Sequence, residues 1–228
     1  MKKNTRILSK GGYILIKYIL FDLDGTLTNP KEGITKCVQH ALLHFGIEKE
    51  CDNLTSFIGP PLKEQFMKFA SLTEEQADEA VRVYRERYAP IGVFENGIYD
   101  GIIPMLRNLK KQGKILALAT SKPTVFAKQI THKYGILPYL DFLSGSELDG
   151  TNVDKAAVIK IAMETLGAKR ENTIMVGDRK HDFIGAEKNG IISVGVSYGF
   201  AEEGELALCG FYKIADSVKE LSKILSSI

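Results

Sequence analysis

The chain has 228 residues, 44% hydrophobic and 25% charged, with a formal net charge of +2. That size and balance describe a soluble globular protein, either one generous domain or one core with an insertion. The near-neutral charge and scattered basic residues leave no electrostatic footprint for nucleic acid or an anionic membrane surface, and no apolar segment reaches the length of a membrane span.

Residues 1 to about 12 carry Lys2, Lys3, Arg6 and Lys10 and read as a loose arm. The apolar segment Tyr13-Ile14-Leu15-Ile16 is broken at once by Lys17, with no small-residue cleavage pattern, so a secretory signal is rejected. A second apolar run, Tyr18 to Phe21, ends on Asp22-Leu23-Asp24-Gly25-Thr26. Side chains alternate along a strand, so Asp22 and Asp24 face the same way where it emerges. Asp is a poor strand residue and adjacent like charges repel, so stability gives no reason for the pair. Chemistry gives one: a carboxylate nucleophile beside a carboxyl proton donor, with a divalent cation to offset the repulsion.

The stretch from about Asn29 to Asn96 contains no comparable strand. Ile34, Val38, Ala41, Leu42 and Phe45 recur at helical spacing, and Gly46 can stop that helix. Pro60 and Pro61 can open a second helix towards Phe69. Thr73-Glu74-Glu75-Gln76 fits a capping box for a third through Tyr84 and Tyr88, whose tyrosines pack while Arg85 and Arg87 are solvated or reach a substrate. From about Gly101 strands alternate with helices. Lys114–Ala119, Asp141–Ser144, Thr173–Val176 and Ile191–Val196 read as strands, and Pro123–Tyr134, Lys155–Leu166, Asp182–Lys188 and Ser217–Leu225 as helices. Near-continuous apolar strands separated by helices imply a parallel sheet covered on both faces. Cys37, Cys51 and Cys209 are odd in number without metal spacing, and suit free thiols in a reducing cytoplasm.

Further polar residues fall at predicted strand ends, where ligands of parallel sheets gather. Thr120 closes one strand. Asp178 follows Thr173–Val176 and Gly177, and Asp182 lies four residues on, an arrangement that is destabilising unless a cation sits between the acids. Lys155 opens a helix, against the macrodipole, which invites a negatively charged partner.

Together these segments resemble the four motifs of the haloacid dehalogenase superfamily: Asp22-Leu23-Asp24-Gly25-Thr26, then Thr120, then Lys155, then Gly177-Asp178-Arg179-Lys180-His181-Asp182. The resemblance implies a Rossmann-like α/β core with a parallel sheet (residues 1–28 and 97–228) and an inserted all-helical cap of the C1 kind (residues 29–96). It implies Asp22 and Asp24 as catalytic groups and Thr26, Thr120, Ser121 and Lys155 as substrate-binding residues. Mg²⁺ would be held by Asp22, Asp24 through its carbonyl, Asp178 and Asp182. Lys122 follows Thr120 too closely to take the place of Lys155. The expected activity is Mg²⁺-dependent hydrolysis of a small phosphomonoester through an aspartyl-phosphate. The loop Phe57–Leu62 and the segment Tyr198-Gly199-Phe200 look like those of the phosphoglycolate phosphatase-like and bacterial 5′-nucleotidase-like branches. Two departures are Ser121, where many relatives have Asn, and Thr28-Asn29, where many have Asp-Ser. The alternatives are a phosphomutase of the β-phosphoglucomutase type, a pyrophosphatase, or a catalytically weak binding or regulatory protein. The expected partner is a small phosphorylated metabolite, not nucleic acid or membrane, for a cytoplasmic monomer or homodimer.

Overall fold

The structure, a computed structural model, describes residues 7–9 and 12–228. Two short strands, β1 (Ile7–Ser9) and β2 (Gly12–Ile14), pair antiparallel, so part of the segment expected as a loose arm is a hairpin. The rest of that expectation lies outside the described residues. The chain divides into two compact units, Met1–Leu27 with Ile98–Ile228, and Thr28–Gly97. No helix among the described residues is long and apolar enough to cross a membrane.

The larger unit is built on β3 (Tyr18–Phe21), whose four residues are all buried. After it come β4 (Thr28–Asn29) and β5 (Gly97–Ile98), a two-residue pair, and helix α1 (Lys31–His44) lies between them in sequence. Helices α2 (Leu62–Ala70) and α3 (Glu74–Tyr88) complete the longer elements of the smaller unit. Beyond β5 follow α4 (Ile102–Lys111), β6 (Ile115–Pro123), α5 (Thr124–Lys133), β7 (Phe142–Ser146), α6 (Lys155–Leu166), β8 (Thr173–Gly177), α7 (Lys180–Lys188), β9 (Ile192–Val196), β10 (Lys213–Ala215) and α8 (Val218–Ser226). Strands β10-β9-β8-β3-β6-β7 form one sheet in that order, every neighbouring pair parallel.

Parallel strands buried on both faces read as continuous apolar runs because no face is left for water. Leu20, Ala117, Ala119 and Met175 pack against Val158, Ile159, Ala162 and Met163 of α6 and Ala186 of α7 on one face. Their neighbours Ile19, Phe21, Leu116, Leu118, Ile174 and Val176 are equally buried and, by strand alternation, serve the other face. The strand order runs outward from β3 to β7 and then restarts on the other side at β8. Right-handed crossovers therefore place α4 and α5 opposite α6 and α7. The reversal leaves a crevice at the carboxyl ends of β3, β6 and β8, the switch point where α/β sheets bind ligands.

Three sequence expectations need correction. Strand β6 does not stop at Thr120: its pairing with β7 shifts after Ala119 and resumes at Pro123. Helix α7 begins at Lys180 instead of Asp182. Helix α4 and strand β10 were not singled out, the strand being only three residues long.

Within the smaller unit α1 packs on α3. The capping box at Thr73 is present, with Thr73 N donating to Gln76 Oε1 at 2.9 Å and Gln76 N to Thr73 Oγ1 at 3.3 Å. Tyr84 and Tyr88 are buried and stacked, ring centroids 5.2 Å apart. Arg87 is not a solvated residue: it donates to both oxygens of Glu95, at 2.7 and 3.1 Å, and to the buried Cys37 thiol at 3.1 Å.

Candidate active site

The site is assembled at the carboxyl ends of β3, β6 and β8. Tyr18–Phe21 align with Ile115–Leu118 on one side and Thr173–Val176 on the other. The ladder extends one residue further, with Asp22 N donating to Val176 O at 2.9 Å. Asp22 is therefore fixed as the strand ends, and Asp178 appears one residue past the end of β8. Gly25 turns the chain away with φ +81°, and a Cβ there would lie 2.1 Å from Asp178 Oδ2. Gly177 is required for space: a Cβ would fall 2.0 Å from Asp182 Cγ. The two glycines let separate loops bring three acids together.

Asp22, Asp178 and Asp182 are all buried, and each offers a carboxylate oxygen within 4.8 Å of the others'. Lys155, also buried, bridges two of them, its Nζ lying 2.7 Å from Asp22 Oδ1 and 3.1 Å from Asp182 Oδ1. It also donates to Ala119 O at 3.2 Å. Asp154, the acid beside it in sequence, is engaged elsewhere: it caps α6 through Ala156 N at 3.2 Å and pairs with Lys188 at 3.5 Å. Burial by itself lowers the Lys155 pKa, but the charges of Asp182 and Asp22 outweigh it and raise the pKa, so the ammonium persists.

Burial pushes the Asp178 carboxyl well above the usual range, and the charges of Asp182 and Asp22 push the same way. The Phe200 amide, donating to Asp178 Oδ2 at 2.7 Å, opposes this. Asp178 Oδ1 is buried with no hydrogen-bond partner among the described residues. Asp182 is raised to about 6, chiefly by burial and against the pull of Lys155. Its Oδ2 accepts from Arg179 N at 3.0 Å. Lys155 pairs with two of the three buried acids and not with Asp178, and the orphaned Asp178 oxygen points to a missing acceptor of electron density. An all-oxygen set of this kind fits a hard divalent cation.

Asp24 is buried beside this cluster, and its carboxylate is not a member of it. Lys122 Nζ donates to Asp24 Oδ2, while Asp24 Oδ1 is buried and has no partner among the described residues. Burial raises the Asp24 pKa and Lys122 acts against that rise. Thr120 is buried, its Oγ1 accepting from Lys122 N at 3.2 Å. Thr26 and Ser121 join the site by chain position: among the described residues neither side chain bonds to these acids. The Thr26 hydroxyl is buried and unpartnered among them, and Thr26 O accepts from Tyr198 OH at 3.0 Å.

Two groups escaped the sequence reading as site residues. Lys122 was set aside, yet it holds Asp24. Arg179 and Glu205 form a buried pair, with Nε–Oε1 3.0 Å and Nη2–Oε2 3.1 Å, and Glu205 also accepts from Lys180 N at 2.6 Å and Glu202 N at 3.2 Å. The alternating strand positions of Thr120 and Lys122 were a usable signal for Lys122. Glu205 gave none.

A parallel α/β sheet with clustered carboxylates and a lysine at its switch point has the arrangement of a hydrolase of the α/β class. The chain belongs to the haloacid dehalogenase-like hydrolase family, whose model matches residues 19–196. It is 47% identical over 189 residues to a 5′-nucleotidase of Pseudomonas aeruginosa, covering 82% of this chain and 86% of that protein. It is 38% identical over 183 residues to the tyrosine-protein kinase PtkA of Mycobacterium tuberculosis, covering 80% of this chain and 62% of that one. In three dimensions it is similar to a crystal structure described as a predicted phosphatase from Clostridium acetobutylicum. There the TM-score is 0.90 at 46% identity, with 94% of this chain and 100% of the other covered.

Proposed function

We propose that this hydrolase is a Mg²⁺-dependent phosphatase that cleaves a small phosphomonoester through an aspartyl-phosphate on Asp22. The observation that carries the reading is the division of labour between the two acids. Asp22 is fixed beside Lys155 and the carboxylate cluster, and Asp24, two residues on, is held apart by Lys122. Asp22, Asp178 and Asp182, with the Asp24 main-chain carbonyl, would hold Mg²⁺, which when bound neutralises charge on the phosphoryl oxygens.

An Asp22 oxygen attacks phosphorus in line, and the Asp22–phosphorus bond forms as the bond to the leaving oxygen breaks. Asp24 gives its proton to that oxygen. It then takes a proton from the water that attacks the phosphoryl group, releasing phosphate and restoring Asp22. Lys155 faces the growing charge as a permanent ammonium, and the Thr120 hydroxyl, already an acceptor from Lys122 N, still has its proton to donate. Thr26 and Ser121 stand ready to add contacts to the same group. The helical unit, residues 28–97, serves in this reading as a cap that selects the substrate. The name of the Pseudomonas relative makes nucleoside 5′-monophosphates the first substrates to try. Free thiols at Cys37, Cys51 and Cys209 suit a reducing cytoplasm.

The test is phosphate release with and without Mg²⁺ across nucleoside 5′-monophosphates, 2-phosphoglycolate, pyrophosphate and several sugar phosphates. The expected result is metal-dependent release that falls by at least about 10³-fold in Asp22→Asn, as loss of a nucleophile demands. Substantial turnover by a freshly purified Asp22→Asn sample would remove the aspartyl-phosphate mechanism. Sugar-phosphate isomerisation with little free phosphate would replace hydrolysis by a mutase reaction.

A further inference from the structure

We propose that Lys122 is a positioning residue that fixes the side-chain orientation of Asp24 by holding one of its carboxylate oxygens. Thr120 and Lys122 are two apart on β6, in the stretch where its pairing with β7 is interrupted between Ala119 and Pro123. Thr120 and Lys122 are tied together there, the Thr120 hydroxyl oxygen accepting from Lys122 N at 3.2 Å. The Lys122 and Asp24 side chains are only 7% and 11% exposed, and the ammonium donates to Asp24 Oδ2. Oδ1 is buried with no hydrogen-bond partner among the described residues.

An ammonium is a donor only, so the oxygen it faces must keep its lone pairs. The ion pair at Oδ2 therefore fixes the Asp24 rotamer and leaves Oδ1 as the oxygen the lysine does not hold. When the bond from phosphorus to the leaving oxygen breaks, that oxygen takes the Asp24 proton and Asp24 becomes a carboxylate already paired with Lys122. The two lysines thus serve the two acids separately, Lys155 the nucleophile and Lys122 the proton donor. This inference rests on the reading of Asp24 as that donor.

The experiment compares kcat/KM, which reports the step through phosphoryl transfer, for two substrates. One is 4-nitrophenyl phosphate, whose leaving group departs without protonation, and the other is the best alkyl phosphate from the panel above. Asp24→Asn is the control and is expected to lose far more on the alkyl substrate. Lys122→Met is expected to follow it, losing roughly a hundredfold on the alkyl phosphate, within the range of general acid catalysis, and less than about fivefold on the aryl one. Lys122→Arg should recover most of the alkyl activity. Lys122→Gln gives the same comparison if the Met variant does not fold. An equal loss on both substrates from the Lys122 variants, with Asp24→Asn still selective, would overturn the inference and assign Lys122 to the phosphoryl group or the fold. If Asp24→Asn is itself unselective, the donor reading of Asp24 fails and this inference falls with it.

Discussion

A methyl group at Gly25 would meet the Asp178 carboxylate, 2.1 Å from Oδ2, on a backbone with φ +81°. Two effects separate in Gly25→Ala. The left-handed backbone costs about 1–2 kcal/mol for any residue with a Cβ. The collision displaces Asp178, one of the three carboxylates in the candidate metal cluster. We expect urea unfolding to show the first and a Mg²⁺ titration of phosphate release to show the second, with the half-saturating concentration raised about tenfold, the size of a 1.4 kcal/mol loss. An unchanged Mg²⁺ requirement alongside the stability loss would mean that Asp178 does not need its present position to bind the ion. Gly25 therefore has a role in placing the acids that its small size in a turn does not suggest.

At the next scale, helix α7 depends on a residue far outside it. Its first amides lack partners within the helix, and Glu205 accepts from Lys180 N while both its carboxylate oxygens accept from the buried Arg179 guanidinium. Burial alone would raise the Glu205 pKa, but Arg179 and the backbone amides outweigh it and hold it below the ordinary value. A depressed folded-state pKa stabilises the fold above the unfolded value, about 4.3 for Glu, and that contribution disappears as pH falls through the folded value. Glu205→Ala removes the buried acid that faces Arg179, leaving the exposed Glu202 at 3.8 Å, and is expected to cost up to about 3–5 kcal/mol. Urea unfolding should show that deficit at pH 7 and a much smaller one near pH 3, and a deficit independent of pH would count against the ion pair. The contrast with legibility is instructive. Gly177, Asp178 and Asp182 were readable because a strand end, a turn and a helix start lie within six consecutive residues, as was the Thr73 box, which spans four. The Arg179–Glu205 and Lys122–Asp24 pairs join residues 26 and 98 positions apart, so no local pattern announces them. The six-stranded sheet was legible except for β10, whose three residues give too short an apolar run. The irregular end of β6 depends on its pairing with β7, which the sequence of β6 alone does not contain.

For the molecule as a whole, the acid cluster and the Glu205 pair set opposite pH dependences in adjoining windows. Asp178 and Asp182 have raised folded-state pKa values, first through burial, with Asp182 at about 6. The metal-free folded protein therefore retains protons that the unfolded chain, with Asp near about 3.9, has released. The Asp182 contribution to stability consequently falls as pH rises from about 4 to about 6, and the Asp178 contribution falls in the same direction. Below about 4.3 the loss of Glu205 ionisation acts in the opposite direction and destabilises. A divalent cation binds the deprotonated cluster, so its stabilisation must grow over the window in which those protons leave. At a Mg²⁺ concentration a hundred times its Kd the gain is about 2.7 kcal/mol, or roughly 5–10 °C for a chain of this size. Calorimetry in chelator and in saturating Mg²⁺ should show that shift at pH 7.5 and little of it at pH 4.5. Because all three carboxylates belong to the sheet-bearing unit, the shift belongs to that unit's transition if the two units melt separately. Asp182→Asn should flatten the chelator profile between pH 4 and 6 and shrink the Mg²⁺ shift together, since both arise from the same carboxylate. A shift of equal size at both pH values, or one that survives in Asp178→Asn with Asp182→Asn, would place the cation elsewhere in the protein.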